Sequence, residues 1–255
     1  MLQRLETTHH LTHPLSPIPA SGERYALPPA FVDGLVFLRP LLKPKGNRSD
    51  TNVNLLGGKL YLLTNLLIVE YDAGILDLPD WWFRADAISI LRSFGTAPSE
   101  ARVDVHKLYF RWQDGQECLV QLRNLLWPGS TQRRMVDEAF RRFWRFDQGT
   151  VITDGTRREL RKHFGDKLIL PDIFLDGQTV AGWLGADGSQ HCFPFPTNAT
   201  RVMRFDRKAF LDMIRVADEI DFSVSPVCFR HARGRGLLVE RTATVVRPEM
   251  DLSDE

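Results

Sequence analysis

Apolar positions alternate over short runs or recur every three to four residues in short blocks, a pattern that predicts many brief strands broken by brief helices. Phe31 to Leu42 is a strongly apolar helical segment that Pro40 should cut short. Thr51 to Leu56, Lys59 to Leu63 and Leu66 to Asp72 read as strands, and Gly57-Gly58 is the turn between the first two. A second helix is expected from about Arg84 to Phe94, with Ile88 and Leu91 on one face and Gly95 as its stop. Strand-like pieces follow at Arg102 to Trp112 and Glu117 to Arg123, joined across Asp114-Gly115.

After a polar and arginine-rich interval the same vocabulary returns. Thr150 to Thr153 reads as a strand, and Asp154 or Thr156 caps a helix that ends at Phe164 before Gly165. Leu168 to Leu175 and Gln178 to Leu184 form a hairpin across Asp176-Gly177, and another strand ends at Phe195. A helix runs from about Asp206 to Ala217. Strands follow at Ser223 to His231 and Leu237 to Val246, turning through Arg233-Gly234-Arg235-Gly236. The two halves therefore carry one order of elements: strand, helix, hairpin strands, helix, closing strands. Gly57-Gly58-Lys59-Leu60 falls opposite Asp176-Gly177-Gln178-Thr179, and Phe83-Arg84-Ala85 opposite Phe205-Asp206-Arg207. An offset of about 120 residues throughout is what a duplicated unit requires. The expected class is α+β, a duplicated unit with short helices packed on antiparallel sheets.

The boundaries follow. Residues 1–22 read as a flexible tail rich in Pro, Ser, Thr and His, 23–123 and 149–248 as the two domains, and 249–255 as an acidic tail. Between the domains, 124–148 reads as a linker with an amphipathic basic helix. Met135, Val136, Phe140, Phe143 and Trp144 are interleaved there with Arg133, Arg134, Arg141, Arg142 and Arg145.

At 255 residues, with 43% hydrophobic and 25% charged positions, the chain has ample material for a core without disulfides or metals. Lys and Arg number 33 against 32 Asp and Glu, which excludes a uniformly basic nucleic-acid coat but not local basic faces. Cys118, Cys192 and Cys228 are scattered and odd in number, as for buried thiols in a reducing compartment. No apolar run suits a membrane span and no secretory signal is visible, so a cytoplasmic protein with no membrane association is expected.

The helices carry the informative charge. With Leu160 and Phe164 buried, Arg158 and Lys162 point away from the core, flanked by Arg161. With Phe210, Met213, Ile214 and Ala217 buried, Lys208 and Arg215 lie opposite, with Asp212 between them. In the first half Arg92 borders the exposed side of its helix, and Arg39, Lys43 and Lys45 cluster after the other. Basic outward faces on short helices suit phosphate contact without base reading.

The stretch Asn54 to Thr64, the helix opening Phe205 to Ile214 and the closing strands with the acidic tail resemble the DNA sliding clamps, the polymerase processivity factors, over roughly residues 24–248. The resemblance implies six such units in a ring around duplex DNA, hence a homotrimer of two-unit chains closed by edge-strand pairing. It implies that Arg158, Arg161, Lys162, Lys208 and Arg215, with Arg92, Arg39 and Lys43, meet phosphates. It further implies a DNA polymerase tail docking near Leu125, Leu126, Pro226 and Val245, and an ATP-driven clamp loader. Two departures from the family pattern are the near-neutral charge and the longer, more basic linker.

The search for chemistry gives little. No P-loop, GxSxG, HExxH or GxGxxG occurs. Glu70, Asp72, Asp77 and Asp80 invite a metal-dependent nuclease, but no Glu-x-Lys strand follows them, and His9 and His13 have no acidic or cysteine partner nearby. The expectation is a non-enzyme that needs no cofactor or metal. The alternatives are a monomeric clamp-like processivity subunit that does not encircle DNA and, less favoured, the nuclease.

Overall fold

The computed structural model describes residues 23–43, 51–104, 107–121, 130–163, 172–176, 180–184 and 190–241. The expected tails therefore lie outside the described residues.

The first half runs β1 (Glu23–Ala26), α1 (Ala30–Leu38), β2 (Asn52–Leu56), β3 (Lys59–Leu63), β4 (Leu67–Tyr71), β5 (Trp81–Arg84), α2 (Ala85–Ser93), β6 (Glu100–Asp104), β7 (Lys107–Arg111) and β8 (Glu117–Gln121). Helix α3 (Ser130–Phe143) follows. The second half then runs β9 (Thr150–Val151), α4 (Asp154–His163), β10 (Asp172–Asp176), β11 (Val180–Leu184), β12 (Gln190–Pro194), β13 (Met203–Asp206), α5 (Arg207–Val216), β14 (Glu219–Asp221), β15 (Val227–His231) and β16 (Gly234–Leu238). Each element of the second half has a counterpart in the first, in the same order. Residue pairings repeat as well: Val53 faces Phe83 as Ile173 faces Phe205, and Ala101 faces Phe110 as Ile220 faces Phe229.

The sheets show how the halves join. One four-stranded sheet is ordered β1-β6-β7-β8 and another β12-β11-β10-β13. The third has eight strands, β5-β2-β3-β4-β16-β15-β14-β9, and the two halves meet inside it through the antiparallel pair β4·β16.

Side-chain alternation gives that central sheet two buried faces. Leu60, Leu62, Val69, Tyr71, Phe229 and Leu238 join the main core beneath α1, α2, α4 and α5. Tyr61, Leu63, Cys228 and Leu237 point the other way and form a second core with Val136 and Phe140 of α3. The basic helix of the linker is thus a lid packed on the outer face of the junction. Its charged residues stay outside because Val136 and Phe140, four apart, are buried against the sheet with Ala139 partly buried beside them.

Local signals explain most elements. Gly57 and Gly58 both have positive φ (55° and 81°), the geometry of a two-residue hairpin turn. α1 stops at Leu38, and Pro40 sits in the single 3-10 turn Arg39–Leu41 that follows. Asp206 caps α5, its Oδ1 accepting the amide of Ala209 at 2.9 Å.

Several expectations are corrected. The run Arg102 to Trp112 is two strands, β6 and β7, reversing between paired Asp104 and Lys107 with no Gly or Pro to mark the turn. Strands β1, β5, β13 and β14 are additional to those the residue pattern predicts. α4 is capped by Thr153, whose Oγ1 accepts the Thr156 amide at 3.1 Å, and not by Asp154 or Thr156. Gly234, Arg235 and Gly236 belong to β16, and the turn is at Ala232-Arg233. Their glycines serve the junction: a Cβ would lie 2.2 Å from the Glu70 carbonyl oxygen at Gly234 and 2.4 Å from that of Ile68 at Gly236.

Candidate nucleic-acid interface and partner pocket

α1 packs on α2 and α4 on α5, and hydrogen bonds knit the pairs into one continuous face. Arg39 Nε donates to the Ala85 carbonyl at the start of α2 (3.3 Å). Arg157 donates to the carbonyls of Ile214 (3.2 Å) and Ala217 (2.6 Å), fastening α4 to the end of α5. Arg215 Nη1 reaches the Pro40 carbonyl at 3.2 Å, crossing from the second half to the first.

On this face Arg158, Lys162, Lys208, Arg215, Arg92 and Arg39 are exposed, and Lys43 is half-buried. The side chain of Arg161 lies outside the described residues. Asp212 is the exception to the basic character. Burial pushes its carboxyl up to about 6, against the opposing pull of Lys208, Arg215 and Lys43 and with a further push from Asp206. Lys208 and Arg215 of the second half and Lys43 of the first thus share one neighbourhood around Asp212.

The opposite face is built by α3. Beneath it, buried Glu70 accepts from Lys59 Nζ (3.1 Å), Tyr61 Oη (3.0 Å) and Arg235 Nε (3.2 Å). Burial and the Glu70 charge push the Tyr61 phenol far up, so it stays a donor. Arg235 also lies over the rings of Phe140 (4.5 Å) and Trp144 (5.2 Å), so one guanidinium pins α3 to the sheet. Beside this anchor is an apolar pocket of about 270 Å³ lined by Leu66, Ala139, Phe143, Pro226, Leu237 and Val239. Pro226 therefore lines a pocket next to the linker helix. Leu125, Leu126 and Val245, expected with it, lie outside the described residues. Phe143 and Ala139 were missed as pocket residues, although their place on an amphipathic helix was the available signal.

The carboxylates that suggested a nuclease disperse. Glu70 is buried in its cation cluster, Asp72 Oδ1 accepts the Gly74 amide and Asp80 Oδ1 accepts the Gly57 amide. Among the described residues no group of three or more His, Cys, Asp or Glu is placed to hold a metal. No described helix is long and apolar enough to cross a membrane.

Solved structures carry the same arrangement. The beta clamp of Helicobacter pylori, solved with a DNA ligase peptide, superposes with a TM-score of 0.62 at 10% identity, covering 90% of this chain and 68% of that one. The fold is that of the beta sliding clamps. The DNA polymerase III beta chain of Streptococcus pneumoniae gives 0.65 at 10% identity over 92% of this chain and 68% of that one. The Pseudomonas aeruginosa sliding clamp gives 0.59 at 13%, over 91% and 70%. No family model and no curated protein sequence matches the chain. The duplicated clamp unit expected from the residue pattern is thus present at a sequence identity too low to carry more than the fold.

Proposed function

We propose that the chain is a DNA sliding clamp that closes into a homotrimeric ring around duplex DNA and tethers a DNA polymerase. The supporting observation is the internal junction. β4 and β16 pair to join two equivalent halves, and their counterparts β12 and β8 stand at the edges of their sheets. Copying β4·β16 onto β12·β8 of successive chains extends the sheet head to tail, and a repeat of three two-unit chains gives six units. Unpaired strand edges otherwise invite uncontrolled association, and a closed ring removes them.

In this reading the helical face turns toward the DNA. Arg158, Arg161, Lys162, Lys208 and Arg215, with Arg92, Arg39 and Lys43, hold phosphates through weak, salt-sensitive contacts that carry no sequence information and so permit sliding. Retention comes from topology, since a closed ring cannot leave circular DNA. The pocket beside α3 takes an apolar segment of a partner polymerase, as the peptide-bound Helicobacter pylori clamp suggests. A separate ATP-driven loader opens the ring, and no catalysis is assigned to the chain. The two domains are 23–123 and 149–248, with the linker helix between them.

Two measurements test this. Light scattering at rising protein concentration should approach three times the 29.2 kDa chain mass. Protein assembled on nicked circular DNA should be retained until the circle is cut. A mass fixed at one chain, with no topological retention, sinks the ring and leaves the monomeric processivity subunit.

A further inference from the structure

Where the two halves meet on the helical face, a cleft of about 780 Å³ opens between α1, the first turn of α4, the end of α5 and the β15–β16 turn. Its size is that of a nucleotide site. Four guanidinium groups line it, and Arg157 is taken up by ion pairs; the other three are Arg158 from α4, Arg215 from α5 and Arg233 from the turn. Among the described residues, none of the three has a carboxylate within ion-pairing distance. Arg158 and Arg215 instead spend one N–H each on the carbonyls of Asp154 (3.3 Å) and Pro40 (3.2 Å), which aims the rest of each group.

The acidic groups of the cleft are already engaged. Asp154 and Asp218 both pair with Arg157, at 2.7 and 3.0 Å, and Asp218 also accepts the Ala232 amide at 2.9 Å. Asp33 of α1 acts on Tyr71 with a sign opposite to that of Arg233. The aromatic side of the cleft is Phe37, Tyr71 and His231, with Phe37 4.8 Å from the imidazole and 5.4 Å from the phenol. Burial pulls the His231 imidazole below its ordinary value, which favours the neutral form, and its Nε2 lies 2.8 Å from the Glu70 carbonyl.

We propose that this cleft is a seat for the phosphate of a single nucleotide, held by Arg158, Arg215 and Arg233 with the sugar or base against Phe37. Guanidinium forks match phosphate oxygens in pairs, and three with no carboxylate at ion-pairing distance, Asp212 acting on Arg215 only from further off, favour a group carrying more than one anionic oxygen. The inference adds Arg233 and a defined position to the diffuse phosphate contacts of the clamp reading. It does not require the ring to close.

A free nucleoside triphosphate and a nucleic-acid strand both carry such a phosphate, and the probes separate them. ATP binding is measured by titration calorimetry, and a labelled 5′-phosphorylated single strand by fluorescence anisotropy, both on the full chain at low salt. Arg233→Ala should weaken the preferred probe roughly tenfold, the loss of one charged hydrogen-bonding partner. Arg215→Ala should do the same, while Arg134→Ala on the outer helix should not. ATP responding alone assigns the free nucleotide, and the strand responding alone assigns a backbone or terminal phosphate. Failure of both probes to bind wild type, or equal binding by wild type and both cleft variants, overturns the proposal. The result is independent of the mass measurement, so a monomer that binds the probe through Arg233 would remove the ring and keep the cleft.

Discussion

Arg235 and Glu70 face each other directly across β16 and β4, Nε to Oε1 at 3.2 Å, at the seam where the two halves of the chain share a sheet. Glu70 is buried while Arg235 is about a third exposed, so the pair is anchored on one side and adjustable on the other. Glu70→Gln should destabilise the chain by about 2 kcal/mol, the worth of hydrogen bonds made to a charged acceptor. Gly236→Ala should cost more, because its Cβ would meet the Ile68 carbonyl at 2.4 Å and the Phe229 ring at 2.0 Å. Denaturant melts of the two variants check the order. A Gly236→Ala chain as stable as wild type would show that the seam can open at little cost.

The copied seam between chains would lack that ion pair. Following the ladders outward, Glu117 occupies the place of Arg235 and Cys192 the place of Glu70. No charge pair forms there, so the contact between chains is expected to be weaker than the internal seam and the assembly to depend on concentration. The same register gives a covalent test. Directly opposed antiparallel residues have Cα atoms about 4.5 to 5.5 Å apart, within the span of a disulfide. Glu117→Cys should therefore cross-link to native Cys192 of a neighbouring chain on mild oxidation, giving dimers and trimers on a non-reducing gel. Adding Cys192→Ser should abolish the ladder. Monomers only, at concentrations where wild type associates, would mean that the edges do not pair in this register.

Features that depend on a few adjacent residues were readable in the sequence. Gly57-Gly58 marks its hairpin because both positions need positive φ, and Asp206 marks a helix start because its side chain caps the next turn. The duplicated order was readable for the same reason. Features that depend on distant partners were not. The aromatic run Trp81-Trp82-Phe83 is a strand because β2 pairs with it, and its sequence merges into the start of α2. Gly234 and Gly236 looked like turn residues, whereas the backbone of β4 is what requires them. The amphipathic character of α3 was plain, but its seat over Arg235 joins residues nearly a hundred positions apart in the chain. Of the candidate site, the exposed cations of α4 and α5 were legible from helical period alone. Arg233 was hidden because its role comes from a turn placed beside α4 and α5.

Replacing Arg158, Lys162, Lys208 and Arg215 together by Ala should leave the fold intact, since all four are exposed and such substitutions usually move stability by no more than about 0.5 kcal/mol each. DNA affinity should fall, and the slope of log affinity against log salt should drop by roughly one for each phosphate that is no longer neutralised. The matching change of Arg133, Arg134, Arg141 and Arg142 on the outer helix should leave that slope unchanged. Equal effects from the two sets would place DNA contact on both faces and contradict the assignment of the helical face.

Asp212 makes the helical face sensitive to acid. Its folded-state value of about 6 lies above the ordinary 3.8, through burial first. Between those two values the folded chain holds the proton and the unfolded chain does not, so the contribution to stability is fully present below the lower value and is lost as pH rises through the upper. Protonation also leaves Lys208, Arg215 and Lys43 less opposed, with Asp206 the remaining acidic neighbour. DNA binding should therefore strengthen as pH falls from about 7.5 to about 5.5, across the titration of this carboxyl. Asp212→Asn should bind at the higher pH as wild type binds at the lower, with a flatter profile between. The variant should also gain stability relative to wild type at neutral pH and lose that advantage in acid. Burial lowers the pKa of His231, which displaces its protonation toward acid. A pH dependence that persists undiminished in Asp212→Asn would assign the sensitivity to another group.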